Sequence, residues 1–221
     1  MADVPKVIYV MGPPGAGKGT QAEMLAQALG YHRFSTGDAF RAITRQDTPL
    51  GRQVKELIDN GLFCPPELAA EVVIGAIKEH VKGGRGLVFD GTPRTMKESE
   101  LVDEFFDKNG YGRPLAIRLV VDKETMIERN SKRKFCLDIQ GDFPISTDED
   151  LRKCESMGGR VGVRPDDEPE KFATRWKEFE TKALPVIEKY TQEGILYEVD
   201  GEKLIPEVHQ QVMDVIEKIQ T

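Results

Sequence analysis

Apolar and polar positions alternate along this chain with two different periods. Short apolar runs occur at Val7–Met11, His32–Phe34, Leu87–Asp90, Leu115–Val121 and Ile195–Val199. Between them lie longer segments, 18–29, 38–44, 50–60, 67–82, 96–109 and 123–132, with the composition and spacing of helices. Strand-like runs alternating with helix-like segments predict βα units and a parallel sheet, an α/β fold. The longest predicted helix runs over about 168–192, where Phe172, Trp176, Phe179, Ala183, Val186, Ile187 and Tyr190 recur at spacings of three and four. That stripe is read as core packing, and Pro185 is expected to kink the helix, because proline lacks the N–H and clashes with the preceding turn. A last helix is expected over about 206–219, with Pro206 in its first turn.

Two segments interrupt the alternation. Residues 35–64 read as helical with no strand. Residues 132–167 are polar, rich in Gly and Asp, and show no clear period, which predicts a lid or a structureless stretch. No internal repeat or low-complexity tract is visible.

Composition narrows the classes of function. With 221 residues, 39% of them hydrophobic, the chain is long enough for one substantial core with small insertions. A net charge of −7 and the lack of a dominant basic patch speak against nucleic-acid binding, but leave room for a local cluster of cations around a nucleotide. No apolar stretch approaches the roughly 18 residues of a membrane span. The first predicted strand begins at Val7, too early for a signal peptide to precede it. The three cysteines, Cys64, Cys136 and Cys154, do not read as a disulfide framework and point to a reducing cytoplasm.

The clearest chemistry follows the first strand. Gly12-Pro13-Pro14-Gly15-Ala16-Gly17-Lys18-Gly19-Thr20 has the spacing of a phosphate-binding loop and opens a helix carrying Ala22, Leu25, Ala26 and Leu29. Glycines there let backbone N–H groups converge on phosphate oxygens, the helix N-terminus favours anions, and Lys18 would reach the outer phosphates. One departure is visible: Gly19 intervenes before the hydroxyl of Thr20, where the strict pattern has Ser or Thr directly after lysine.

Further motifs follow in order: Ser35-Thr36-Gly37-Asp38 with Arg41, Asp90-Gly91-Thr92-Pro93-Arg94-Thr95, Arg129 and Arg133, and Arg164-Pro165-Asp166-Asp167 with Arg175. Together they resemble the adenylate kinases of the long-lid type over essentially the whole chain. The resemblance implies a P-loop NTPase-like five-stranded parallel sheet flanked by helices. The core would span 1–34, 65–131 and 168–221, with a nucleoside-monophosphate-binding insertion at 35–64 and a lid at 132–167. It also implies reversible transfer of the γ-phosphoryl group of Mg·ATP to AMP in a cytoplasmic monomer, with no nucleic-acid or membrane partner. Phosphoryl transfer needs positioning and charge neutralisation, and an anionic acceptor needs no general base.

By resemblance, Lys18, Arg94, Arg133, Arg164 and Arg175 are the catalytic cations. ATP would be held by Gly15, Ala16, Gly17, Lys18, Gly19, Thr20, Arg133, Asp142, Phe143 and Lys203. The AMP site would comprise Thr36, Arg41, Leu62, Phe63, Cys64, Gly91, Thr92, Pro93, Arg94, Glu98, Arg164 and Arg175. Asp90 would engage Mg²⁺ through bound water, and Thr92-Pro93 is expected to be cis. Taken singly, each arginine could instead form a solvated ion pair, and Arg164 and Arg175 have acidic neighbours. Asp38 could simply N-cap its helix, and Phe143 either stacks on a base or fills the lid core. His32, His80 and His209 match no metal or catalytic spacing.

The chain departs from the family at two places. Many relatives carry a lid zinc site built from paired cysteines; here Ile139 and Met157 stand where the second cysteine of each pair would be. That predicts a zinc-free lid packed around Phe135, Ile139, Phe143, Ile145, Met157 and Val161. Threonine at 92 replaces the usual aromatic, and Glu98 replaces a glutamine. An ionised Glu98 only accepts hydrogen bonds and would suit guanine, making GMP the alternative acceptor unless the side chain turns to solvent. A catalytically silent nucleotide-binding protein is the reading from a different class.

Overall fold

The computed structural model describes residues 4–81, 84–139 and 141–220. In chain order the elements are β1 (Val7–Met11), α1 (Lys18–Leu29), β2 (His32–Ser35), α2 (Thr36–Thr44), α3 (Pro49–Asp59), α4 (Pro66–His80), β3 (Leu87–Asp90), α5 (Met96–Asn109), β4 (Leu115–Val120) and α6 (Lys123–Lys132). Then follow β5 (Lys134–Leu137), β6 (Phe143–Ile145), α7 (Asp148–Ser156), β7 (Arg160–Gly162), α8 (Pro169–Glu178), α9 (Leu184–Gln192), β8 (Leu196–Asp200) and α10 (Ile205–Gln220). The expected end of α4 at Lys82 lies outside the described residues.

Among the described residues, β2, β3, β1, β4 and β8 form, in that spatial order, a five-stranded sheet whose strands all pair in parallel. Every residue of the central strand β1 is buried. Its side chains alternate between two cores, as a pleated strand requires. Val7, Tyr9 and Met11 join Phe89, Val102 and Tyr190 on one face; Ile8 and Val10 join Leu25, Ile117 and Val212 on the other. The chain runs from β1 to β2 and β3 on one side and later to β4 on the other. The carboxyl end of β1 is therefore the switch point where sheets of this kind bind ligands.

Several sequence expectations need correction. Segment 132–167 is not structureless: β6, β5 and β7 form an antiparallel sheet in that order, with α7 beside it. Its strands are only 3 or 4 residues long, too short to display a period. The cysteines there are not unpaired either, because Cys136 and Cys154 form a buried disulfide. Gly159 is a glycine because a Cβ there would fall 2.3 Å from one of those sulfurs and 2.9 Å from the other. Met157 and Val161 do not fill this small core; they are 48% and 42% exposed. Phe135, Cys136, Leu137 and Cys154 are its buried apolar residues.

The helix expected over 168–192 is two α-helices joined by a π turn at Phe179–Ala183. Leu184 N–H bonds back to the carbonyl of Phe179, so the wider turn comes just before Pro185, which sits in the first turn of α9 where no N–H is needed. Ser35, not Asp38, caps α2, accepting from Asp38 N–H at 3.2 Å. Glu98 does not face solvent: it is 2% exposed.

Candidate active site

Strand β1 delivers its final residue to a turn in which Gly12, Gly15 and Gly17 all have positive φ. Gly17, at φ 89°, is the N-cap of α1, and a β-carbon would be strained there. Lys18 lies directly behind it, with Nζ donating to Pro13 O at 2.7 Å. The extra Gly19 has a local reason: a Cβ there would sit 2.9 Å from Asp90 Oδ2 and 3.3 Å from Arg33 Nη2. The carboxyl end of β3 therefore packs against the first turn of α1.

Lys18 faces a cleft of about 500 Å³ lined by Met11, Gly12, Gly91, Pro93, Arg94 and Arg175, among others. Burial lowers the pKa of Lys18 to about 7; Asp90 opposes the shift, while Arg94, Arg175 and Arg133 reinforce it. Burial likewise lowers Arg94, Arg133 and Arg164, the last to about 10 with help from the nearby Arg41. Arg133 and Arg164 lie over the ring of Phe135, at 4.4 and 3.7 Å from its centroid. Buried Asp167 accepts from Arg175 and lies 4.0 Å from Arg133. The site carries more positive than negative charge in a desolvated volume, which is the environment an anion relieves.

A second, much narrower pocket adjoins the first, lined by Thr36, Phe40, Phe63, Cys64, Ala69, Thr92, Arg94, Thr95 and Glu98. The Thr36 hydroxyl is buried there without a partner. Burial pushes the Cys64 thiol up to about 11, leaving it neutral. The Glu98 carboxylate accepts from the Thr92 hydroxyl and, at 2.8 Å, from Arg94 N–H. Burial raises its pKa against the lowering effect of those donors. The Arg94 guanidinium bonds Gly91 O and lies 5.4 Å from the Phe63 ring centroid. The Thr92-Pro93 peptide is cis.

The chain with this glycine-rich turn at the switch point, half-buried cations around the cleft and buried Arg164 matches a family model. The model for adenylate kinase matches residues 10–195. The adenylate kinase of Archaeoglobus fulgidus is 34% identical over 219 residues, covering 97% of this chain and 99% of that protein. That of Caldanaerobacter subterraneus subsp. tengcongensis is 35% identical over 208 residues, covering 93% of each chain. That of Carboxydothermus hydrogenoformans is 33% identical over 216 residues, covering 96% of this chain and 99% of that protein.

The chain belongs to the adenylate kinase family. It is a nucleoside monophosphate kinase of that family, with the α/β parallel-sheet fold expected from its sequence.

The structure brings some of the expected residues together and separates others. The loop residues Gly15 to Thr20 border the first cleft through Lys18, and Phe63, Thr92 and Arg94 line both cavities. Leu62 lines neither and is 39% exposed. Arg41 Nη2 bonds Asp38 Oδ1 at 2.6 Å. Burial alone would raise the Asp38 pKa, but Arg41 and then Arg164 hold it below the usual carboxylate range. Asp142 lies toward the 35–64 segment, accepting from Arg45 at 3.0 Å with Arg164 Nε 3.8 Å away. Phe143 carries Lys153 at 4.9 Å from its ring centroid. Lys203 is half exposed, 3.9 Å from Asp200.

Three contributors had no role assigned from the sequence, although Asp167 and Arg129 stood in its motifs. Asp167 holds arginines, and a buried carboxylate needs such partners; its place in the Arg164–Asp167 run was the available signal. Arg129 donates to Gly201 O at 2.8 Å and Glu202 O at 3.2 Å, tying α6 to the turn before Lys203. Arg33, on β2, bonds Asp90; no local motif marks it.

Proposed function

We propose that this chain catalyses reversible transfer of the terminal phosphoryl group of ATP to AMP, giving two ADP. The observation that carries this reading is the position of Lys18, half-buried in the cleft it shares with Arg94 and Arg175, where desolvation lowers its pKa to about 7. Such a cluster is destabilising by itself and is favoured once phosphate oxygens enter it.

Segment 132–167 acts as the lid and 35–64 as the acceptor insertion. Residues 15–20 cradle the donor phosphates, Arg133 reaches them from the lid, and Asp142, Phe143 and Lys203 form the donor-base end. Arg41 and Arg94 grip the acceptor phosphate bidentately. Arg164 and Arg175 converge on the group in transit. Thr36, Phe63, Cys64, Thr92 and Glu98 enclose the acceptor base, for which the orphan Thr36 hydroxyl is a waiting partner; Gly91 and Pro93 border it from the larger cleft, and exposed Leu62 stands outside both cavities. Closure removes water, so that phosphate passes to AMP and not to solvent.

Mg²⁺ arriving with ATP would neutralise charge on the phosphate oxygens, and it needs only one or two protein carboxylates. Asp90 fits that requirement, its half-buried carboxylate packed against the first turn of α1. Among the described residues, no group of three or more His, Cys, Asp or Glu side chains could cage a metal by itself. Zinc is not expected in the lid: Cys136 and Cys154 are bonded to each other, and neither is a thiolate while that bond stands.

We read the enzyme as a monomer acting on small nucleotides, without nucleic-acid or membrane partners; the cytoplasmic reading loses the support of the cysteines, because Cys136 and Cys154 are bonded to each other. No helix among the described residues is long and apolar enough to cross a membrane.

The test is a turnover panel with Mg·ATP and AMP, GMP, CMP or UMP. AMP is expected to win, with Lys18→Met lowering kcat by roughly 10²–10³-fold. Little ATP hydrolysis is expected without acceptor. A preference for GMP would make an ionised Glu98 the base-reading group. Tight nucleotide binding with no turnover would mark a silent binding protein.

A further inference from the structure

Arg33 is not one of the arginines assigned to phosphate. It stands on β2, whose register with β3 pairs Arg33 with Val88 and Ser35 with Asp90. From there its guanidinium reaches Asp90, with Nη2 3.0 Å from Oδ2. The same nitrogen lies 3.8 Å from Asp38 Oδ2, and Nη1 lies 3.9 Å from Glu23 Oε2. Its Nε is buried without a partner. The guanidinium, the Asp90 carboxylate and the second residue of α1 share one small volume, as the distances from a Cβ on Gly19 show.

Two effects follow from this placement. A planar donor on Oδ2 fixes the rotation of the Asp90 carboxyl, which a flexible point charge would do less well. A positive charge between Asp38 and Asp90 also offsets the field with which two neighbouring carboxylates attract a divalent cation. We propose that Arg33 is a positioning residue for phosphoryl transfer: it orients Asp90 and keeps the Asp38–Asp90 pair from holding a divalent cation when no nucleotide is bound. This rests on the reading of Asp90 as the carboxylate that meets metal-bound water.

The test measures Mn²⁺ binding by electron paramagnetic resonance, with and without a non-hydrolysable ATP analogue, alongside kcat and KM. The proteins are wild type, Arg33→Gln, Arg33→Lys and Asp90→Asn. Arg33→Gln should bind Mn²⁺ about tenfold more tightly than wild type without nucleotide. Its kcat should fall about tenfold, with KM for AMP unchanged. Arg33→Lys keeps the charge, so its nucleotide-free Mn²⁺ affinity should stay at the wild-type level while kcat still falls. It also serves as the decisive variant if Arg33→Gln does not fold. Wild-type Mn²⁺ affinity and kcat in Arg33→Gln, with Asp90→Asn impaired in both, would overturn the role of Arg33 and leave Asp90 standing. If Asp90→Asn changes neither quantity, the reading of Asp90 falls and this proposal falls with it.

Discussion

Arg45, just beyond α2, reaches across to Asp142 at the edge of β6, with Nη2 3.0 Å from Oδ1. These residues belong to the two segments read as acceptor insertion and lid, so the contact exists only when those segments approach each other. Asp142 is the more buried partner, and Arg164 Nε lies 3.8 Å from its other oxygen. Arg45→Ala should therefore shift the protein toward a more open state by roughly 1 kcal/mol or less, as for a partly exposed pair. Fluorescence energy transfer between labels on α3 and α7 should report a larger mean separation. Unchanged transfer in Arg45→Ala would show that the pair contributes nothing to closure.

The lowered pKa of Lys18 predicts a proton linkage. The free lysine titrates at about 7, and polyphosphate beside it favours the charged form. Between that value and the higher pKa of the complex, the complex holds more protons than the free protein. The Lys18 contribution to nucleotide affinity should accordingly be flat below pH 7 and weaken as pH rises above it, with proton uptake on binding at about pH 8, where the terminal phosphate of ATP is already fully ionised. Calorimetric titration with ATP in HEPES and in Tris gives the number of protons directly. Proton release, or no exchange, contradicts the cluster as described.

Glu98 and Thr92 replace, as a pair, the glutamine and aromatic expected by resemblance. The Thr92 hydroxyl and Arg94 N–H both donate to the Glu98 carboxylate. Thr92→Val would leave one buried carboxylate oxygen without its donor, at a cost of about 1–3 kcal/mol. Urea denaturation measures that loss. Because the same carboxylate holds the backbone N–H of Arg94, Glu98→Ala should raise KM for AMP more than KM for ATP. Equal effects on both would remove Glu98 from the acceptor side.

The Cys136–Cys154 bond ties β5 to α7 across an 18-residue separation. Closing a loop of about that length stabilises by roughly 3 kcal/mol in the chain-entropy description. Reduction, or Cys154→Ser, should loosen residues 134–162 while leaving the five-stranded sheet intact. Hydrogen exchange with and without reductant should show faster exchange in β5, β7 and α7 alone. Gly159→Ala, whose Cβ would meet both sulfurs, should mimic this under oxidising conditions. Uniform protection in both redox states would assign the order of this segment to packing.

Much of the core was legible because its signals are local. The apolar run Val7–Met11, the loop ending at Lys18 and the helix behind it each act over a few residues. Backbone sterics, glycine conformation and helical period therefore suffice to read them from the chain. Segment 132–167 was not legible as structure, because β6 and β7 are only 3 residues long and carry no period. The π turn before Pro185 depends on which carbonyl Leu184 N–H finds, and helical spacing does not encode that choice.

The sequence by itself determined the parallel α/β sheet and the family, and it marked the glycine-rich loop and the arginines that we propose meet the nucleotide. Only the tertiary structure decided which partners they keep: Arg33 with Asp90, Arg45 with Asp142, Thr92 with Glu98, and Cys136 with Cys154. Local periodicity fixes an element and the face it buries, but a contact between distant residues depends on strand order, register and close approach. Those exist only once the whole chain has packed.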